Sequence, residues 1–171
     1  MNSVKSCGDI MSVEKKYLKW CAKQKNGIKL IKESENLQKA YLNKSKIAVQ
    51  SMKVNAKAGL DEWTISTSYY AKYFAVYALL SRIGIKCEIH TCTISLFSYL
   101  FSNDISPQLM QDLRQAKDDR VDAQYYTTAV TINSSKILAD TKNFVIRVEE
   151  IIDRLNSQKI SDIRNKIKSE L

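Results

Sequence analysis

The sequence predicts an all-α protein, an up-and-down four- or five-helix bundle with an extra N-terminal helix and a C-terminal helix. Long segments without Gly or Pro carry apolar residues at helical spacing. The chain has one Pro and four Gly in 171 residues, too few for the many turns of an all-β fold. Its 44% hydrophobic and 26% charged residues are typical of a folded domain that buries a core without staples.

Residues 1–33 are predicted to form a basic helical extension. Ser12 can cap a helix that ends at Asn26-Gly27. The apolar face of this helix consists of Val13, Tyr17, Trp20 and Cys21. Residues 28–33 are expected to form a linker or a short helical turn.

Residues 34–157 are predicted to form the bundle, which begins with a long helix from Ser34 to near Gly59. The segment Asp61 to Phe101 holds most of the aromatic residues and the only His. We expect the rest of the chain to pack around it.

The helix predicted from Thr64 to Leu80 lies at the centre of that segment. Asp61 can cap its start and Gly84 can close its end. Its apolar residues form two adjoining rows: Tyr69, Tyr73, Val76 and Leu80 in one, and Tyr70, Phe74 and Tyr77 in the other. A surface helix needs only a narrower stripe, so this helix should contact two or more neighbours in the middle of the bundle.

Two more bundle helices are predicted downstream. Thr91 or Thr93 can start a helix antiparallel to the central one, because the connection between them is short. Ser106-Pro107 can start the next, since Pro is favourable at the first helical position.

The last long helix is predicted from about Thr127 to Asn156, followed by a C-terminal helix over 158–171 that Ser161 can cap. Apolar residues of this last helix recur every three or four positions, which suits docking on another surface such as a second subunit.

The central segment resembles the HEPN domain, the small helical module of prokaryotic nucleotidyltransferase-associated proteins. The resemblance rests on SYYAKYFAVYALLSRIG, a His at the start of the next helix, and SLFSYLF. It is greatest to the branch that continues with an Arg, a few residues and an Ala-acidic-Tyr ending. Here that segment runs from Arg120 to Tyr126, reading RVDAQYY. The resemblance covers roughly residues 36–155.

The resemblance also indicates which residues nuclease activity would need. In the catalytic HEPN branch an Arg is followed after four to six residues by a His, and the pair cleaves RNA without a metal. The Arg would stabilise the anionic transition state while the His moves a proton. This chain keeps Arg120 but has Tyr125 in the place of the His, and a phenol with a pKa near 10 is a poor base at pH 7. The sequence therefore weighs against nuclease activity.

Arg120 has two compatible interpretations. It can form a structural ion pair with Asp118, Asp122 or a neighbouring helix. It can also bind a phosphate, with Tyr125 and Tyr126 as stacking surfaces for a base.

His90, Tyr69 and Tyr73 are the other candidate site residues. His90 can replace the missing imidazole if it lies near Arg120, although a His at a helix start more often bonds a backbone carbonyl. The two tyrosines can line a nucleotide-binding groove, but aromatic rows at helical spacing are more often core.

Cys87, His90 and Cys92 fall within six residues and raise the question of a metal site. No second Cys/His cluster completes a tetrahedral set unless Cys7 or Cys21 folds over. We therefore expect neither a metal nor a cofactor. With no signal peptide and no apolar run of membrane length, we expect a cytoplasmic protein with reduced thiols.

The net charge of +9 is concentrated in the N-terminal third. Residues 1–60 contain 13 Lys against 4 acidic residues, so 13 − 4 = 9 accounts for the whole surplus. Such asymmetry favours a polyanionic partner, either nucleic acid or an acidic protein face. Lysines that simply keep the protein soluble are the alternative.

Three functions fit these observations. The first is a nucleotide- or RNA-binding HEPN module paired with a separately encoded minimal nucleotidyltransferase in a toxin-antitoxin-like system. The second is a metal-independent endoribonuclease using Arg120 with His90 or a tyrosine. The third is a non-catalytic helical adaptor. By the same resemblance we expect a homodimer with its Arg-containing turns near the dimer cleft.

Overall fold

The computed structural model describes residues 7–126 and 132–170, with side chains from residue 15 onward. These ranges contain helices α1 (Cys7–Lys23), α2 (Glu35–Lys57), α3 (Asp61–Arg82), α4 (His90–Phe101), α5 (Pro107–Tyr125), α6 (Ser134–Asp153) and α7 (Ser157–Glu170). Two short antiparallel strands, β1 (Lys29–Leu30) and β2 (Ile85–Lys86), complete the described structure. The predicted all-α bundle with a helix at each end is confirmed.

Helix α3 lies at the centre of the bundle, as its two apolar rows predicted. Fifteen of its 22 residues are buried, and α2, α4, α5 and α6 all pack against it. Helices α2 and α3 are antiparallel: the Tyr41 and Tyr77 rings lie 4.6 Å apart, while Asn55 near the end of α2 reaches the carbonyl of Trp63 near the start of α3. The polar side chains of α3 must therefore find their partners inside the bundle.

Two of the predicted helix starts are confirmed by their caps. The Ser34 hydroxyl accepts a hydrogen bond of 3.1 Å from the backbone N–H of Leu37. The Ser106 hydroxyl accepts one of 3.3 Å from Leu109, and Pro107 occupies the first turn of α5. Local sequence therefore sets both starts.

Two other predicted caps are wrong. The N-cap residue of α3 is Leu60, which provides no side-chain cap, and Asp61 lies inside the helix. Helix α4 begins at His90 and not after Thr91 or Thr93. The buried Thr93 hydroxyl instead donates to a backbone carbonyl 2.8 Å away in the preceding turn. Neither helix start carries a side-chain cap.

Residues 28–33 differ from the prediction of a linker or helical turn. Leu30 pairs with Ile85 in the two-stranded sheet. The guanidinium of Arg164 on α7 donates to the carbonyl oxygens of Ile31, Ile83 and Gly84 at 3.1, 2.8 and 3.0 Å. This contact fixes α7 to the end of α3.

The C-terminal helix also differs from its prediction. Helix α7 begins at Ser157, where the Asn156 side chain accepts from the backbone N–H of Lys159 at 2.8 Å, so Ser161 is not the cap. Its apolar residues Ile160 and Ile167 are 2% and 0% exposed against the same chain. This stripe is therefore filled within the bundle and does not face a second subunit.

Two predicted helix starts remain, that of the N-terminal helix and that of the last long helix. Helix α1 begins at Cys7, five residues before the predicted cap at Ser12. The predicted start of the last long helix at Thr127 lies outside the described residues, and α6 begins at Ser134 with Asn133 as its cap. The division into 1–33, 34–157 and 158–171 remains a prediction.

The expectation of reduced thiols is wrong for one pair of cysteines. Cys21 on α1 and Cys92 on α4 are joined by a disulfide, while Cys87 is a buried free thiol. The bond joins the N-terminal helix to the bundle. None of the helices in the described ranges combines the length and hydropathy needed to span a bilayer.

Gly84 and Gly59 form a matched pair for a stability test, since both have a φ of +70°. A Cβ at Gly59 meets nothing within 4 Å, whereas one at Gly84 would lie 2.1 Å from Arg164 Nη1 and 2.7 Å from the Ile31 carbonyl oxygen. We expect Gly59→Ala to lower the free energy of unfolding by about 1 kcal/mol, through backbone strain alone. Gly84→Ala should cost roughly 3 kcal/mol, because the Arg164 hydrogen bonds are also displaced.

Urea unfolding followed by circular dichroism measures both differences. Equal losses in the two variants would show that Arg164 does not stabilise this junction.

Candidate functional site

Three helices bring four of the predicted site residues together. Tyr69 and Tyr73 come from α3, His90 is the first residue of α4, and Arg120 lies near the end of α5. Together with Tyr70 they form what we call the tyrosine–arginine cluster. Residues 69, 70 and 73 point towards α4 and α5 because α3 is buried against both.

His90 is held by two tyrosines. The Tyr69 hydroxyl lies 2.6 Å from His90 Nδ1, and the Tyr73 ring stacks on the imidazole with centroids 4.2 Å apart and planes inclined by 15°. His90 was expected to hydrogen-bond a backbone carbonyl. This interpretation is wrong, because Nδ1 bonds the Tyr69 hydroxyl instead. The ring position is fixed by packing and by one short hydrogen bond.

The electrostatics of the cluster keep the imidazole neutral. Burial lowers the pKa of His90 below its ordinary value, and the charges of Arg120 and Lys117 lower it further. Burial raises the pKa of Tyr69 far above 10 and that of Tyr73 to about 12. At pH 7 Tyr69 and Tyr73 are thus neutral phenols, and His90 is a neutral imidazole.

The Tyr69–His90 bond couples the orientation of the phenol to the imidazole tautomer. Within the described part of the chain His90 Nδ1 is the hydrogen-bond partner of the Tyr69 hydroxyl. A phenol that donates to Nδ1 leaves the proton of the neutral imidazole on Nε2, whereas in the other tautomer Nδ1–H donates to the phenol. With the phenol as the donor, His90 offers an N–H donor on Nε2.

Arg120 lies over aromatic faces. Its Cζ is 5.2 Å from the centroid of Tyr70 and 5.7 Å from that of Tyr69. Nε is buried and, in the part of the chain that the structure describes, has no hydrogen-bond partner. The predicted ion pair with Asp118 is not formed there, since Asp118 pairs with Lys117 at 2.8 Å. Nor does an ion pair join Arg120 to Asp122 in those ranges.

Such a guanidinium is held by cation–π contact, while its buried Nε has no acceptor among the described residues. A buried donor without a partner costs free energy that an arriving oxygen anion would recover.

Tyr125 and Tyr126 do not join the cluster. Their side chains are 73% and 62% exposed, and no described ring contact connects them to Arg120. Tyr125 follows Arg120 by five residues, which turns it about 140° around the helix. It lines a separate cleft of about 310 Å³ together with Trp63 and Ser66.

Two residues of this cleft were missed in the sequence. Trp63 is 59% exposed, and Ser66 is 2% exposed with an Oγ that has no partner among the described residues. Trp63 lies just before the predicted Thr64–Leu80 helix and seven residues before Tyr70, so it shares the helical face of Tyr70. The same periodicity, continued one turn towards the N-terminus, predicts Trp63 on this face.

A comparison with protein families matches the HEPN domain model to residues 38–158. The chain belongs to the HEPN domain family. The match begins in α2 and ends at the start of α7, so it includes the whole tyrosine–arginine cluster and the Trp63 cleft. A comparison with curated proteins finds no match.

Among the described residues, the tyrosine–arginine cluster contains no group of side chains arranged as metal ligands. Cys92 is bonded to Cys21, and His90 is bonded to Tyr69. Within residues 7–126 and 132–170 no group of three His, Cys, Asp or Glu side chains is placed to hold a metal ion.

Some of the excess N-terminal lysines are neutralised in the folded HEPN protein. Lys15 pairs with Glu170 at 2.6 Å, and Lys46 with Glu149 at 2.8 Å. Lys39, Lys53 and Lys57 are exposed on α2. A positive face therefore remains on α2.

The single His allows the electrostatics of the cluster to be measured directly. We expect the ring proton of His90 to titrate below 6.5 in an NMR pH series. Arg120→Gln should move this midpoint upward, because it removes a positive charge that opposes protonation. Arg154→Gln, at the exposed end of α6, is the control and should leave it unchanged. If the His90 midpoint does not change in Arg120→Gln, the charge of Arg120 does not influence the protonation of His90.

Proposed function

We propose that this chain is a nucleotide- or RNA-binding HEPN module that holds a phosphate at the tyrosine–arginine cluster. The observation that carries the proposal is Arg120, a guanidinium seated on two tyrosine rings with a buried Nε that lacks a partner in the described ranges. Arginine binds phosphate oxygens through charge-assisted, often bidentate hydrogen bonds. The cluster thus supplies donors and a positive charge to a single small region.

His90 supports the same role. It shares Tyr69 with Arg120, since the Tyr69 hydroxyl bonds the imidazole while the Tyr69 ring lies under the guanidinium. Its Nε2–H donor suits an anionic oxygen. Because the imidazole is neutral, it adds a donor without placing a second positive charge beside Arg120.

The charge distribution supports a polyanion over a free phosphate ion. The exposed lysines of α2 belong to the basic N-terminal third, and α2 packs along α3. Long-range attraction by such a face speeds the encounter with RNA and makes the affinity strongly dependent on salt.

A second candidate, a metal-independent endoribonuclease, is favoured by one observation, the contact of His90 and Arg120 with the same tyrosine. A general base needs a free lone pair on the nitrogen that faces the substrate. With Tyr69 donating to Nδ1, Nε2 carries a proton and cannot accept another. The use of His90 as the general base would require Tyr69 to accept from Nδ1 instead, and to send its own proton elsewhere. This requirement makes binding the better-supported function.

The family suggests partners for the module. We propose pairing with a separately encoded minimal nucleotidyltransferase in a toxin-antitoxin-like system and a cytoplasmic homodimer, since HEPN domains commonly dimerise. The Cys21–Cys92 disulfide does not support a cytoplasmic location, because thiols are kept reduced there. The buried stripe of α7 no longer supports the dimer, so a molar mass near twice 19.6 kDa by light scattering is its test.

RNA binding tests the proposed function. We expect a labelled single-stranded RNA of about eight nucleotides to bind with an affinity that falls steeply between about 50 and 200 mM salt. Arg120→Gln should weaken binding and reduce the salt slope by about 0.7, the loss of one phosphate contact on a single strand. Fluorescence anisotropy over a salt series measures both quantities.

Arg154→Gln is the matched control, because it removes one exposed Arg outside the cluster. Binding that is insensitive to salt would point to the helical adaptor, and binding unchanged in Arg120→Gln would contradict the proposed site. RNA cleavage in EDTA that disappears in both Arg120→Gln and His90→Gln would favour the endoribonuclease.

A further inference from the structure

We infer that one unpaired nucleotide of a single-stranded RNA lies along the α3–α5 seam, with its base between Trp63 and Tyr125 and its phosphate at Arg120. The seam consists of Trp63, Ser66 and Tyr70 on α3 together with Arg120 and Tyr125 on α5. The inference rests on the proposed function and specifies its ligand as a strand with an accessible base.

Two unpartnered polar atoms mark the seam. In the described residues, the buried side-chain atoms without a hydrogen-bond partner are Ser66 Oγ and Arg120 Nε. Ser66 lines the Trp63 cleft, and Arg120 covers Tyr70, which follows Ser66 by one helical turn. Buried polar groups are rarely left unpaired, and both losses would be repaired by one ligand that carries polar atoms along this seam.

The exposed aromatic rings indicate the kind of ligand. Trp63 and Tyr125 are 59% and 73% exposed on facing helices. They line the same cleft of about 310 Å³, and no described ring contact joins them. Large aromatic side chains left open beside a basic group are typical of single-strand binding sites, where bases stack on them.

The geometry along the two helices suits one nucleotide. Residues 62–66 of α3 lie beside 123–125 of α5, while Tyr69 and Tyr70 lie beside Arg120, so the helices are antiparallel. Arg120, at the phosphate, and Tyr125, at the base, are five residues apart on α5, a rise of ~7.5 Å. One nucleotide in an extended conformation can span such a step.

Polar groups at the cleft give a preference among bases. Glu62 and Gln124 are exposed side chains that line the cleft with the two aromatic residues. An ionised carboxylate only accepts hydrogen bonds, so Glu62 favours a base with an exocyclic amine. Cytosine offers such an amine where uracil has a carbonyl oxygen. The site should therefore bind oligo(C) more tightly than oligo(U).

Tryptophan fluorescence tests the inference directly, because the chain has two Trp. In Trp20→Phe, Trp63 is the remaining indole, and oligo(C) should quench it with the same midpoint as anisotropy reports. Trp63→Ala should weaken oligo(C) binding roughly tenfold without changing the salt slope, because stacking is not ionic. Glu62→Gln should abolish the preference for oligo(C) over oligo(U).

The matched control is Trp20→Ala. Trp20 is 49% exposed on α1, where it stacks on Tyr17 outside the seam, so this variant should bind as the wild type does. Ser66→Ala provides a second check. It should raise the melting temperature of the free protein, since it removes an unpaired buried hydroxyl, while weakening RNA binding.

The outcomes separate this inference from the proposed function. RNA binding that requires Arg120 but is unchanged in Trp63→Ala overturns the seam and leaves the phosphate site. RNA binding that is unchanged in both Arg120→Gln and Trp63→Ala overturns the seam and the proposed function together. The absence of RNA binding also overturns both. A Trp63 signal that changes with protein concentration without RNA would show a second copy covering the seam, and this also overturns the inference.

Discussion

The burial of α3 on most of its circumference is the constraint on which the structure depends. A central helix that carries Tyr, Ser and Lys side chains must satisfy their polar atoms inside the bundle. Ser45 on α2 donates to the Ala71 carbonyl at 2.7 Å, and the Ser68 and Thr141 hydroxyls lie 2.8 Å apart. These bonds fix α2 and α6 against α3. The Tyr69 bond to the first residue of α4 follows the same rule, so the candidate site is a product of core packing.

The same burial makes the cluster a coupled electrostatic unit. The guanidinium of Arg120 opposes protonation of His90, and the aromatic surroundings strengthen this effect because they exclude water. A phosphate bound at Arg120 would offset that positive charge and make protonation of His90 easier. Phosphate binding at Arg120 and protonation of His90 should therefore each favour the other.

The fold could be predicted from the sequence where local chemistry decides it. The two apolar rows identified α3 as central, and Ser34 and Ser106 marked helix starts through their own hydroxyls. The starts at Leu60 and Ile89 carry no side-chain cap, so no local signal marked them. Tyr69, Tyr73, His90 and Arg120 were nominated by residue type and resemblance. Their contacts depend on how three helices meet. The bond between cysteines 71 positions apart likewise depends on α1 packing against α4.

The resemblance places Tyr125 where the catalytic branch would carry a His, and the structure shows where a side chain at this position lies. Five residues along α5 turn this side chain away from Arg120 and into the cleft with Trp63. A His placed there would face the same cleft, so within one chain it would not share a phosphate oxygen with Arg120 and Tyr69. Proton transfer beside the guanidinium is then left to His90, whose free nitrogen is already protonated while Tyr69 donates to the other. With Tyr69 as the donor to Nδ1, His90 can therefore donate to a phosphate oxygen but cannot act as the general base.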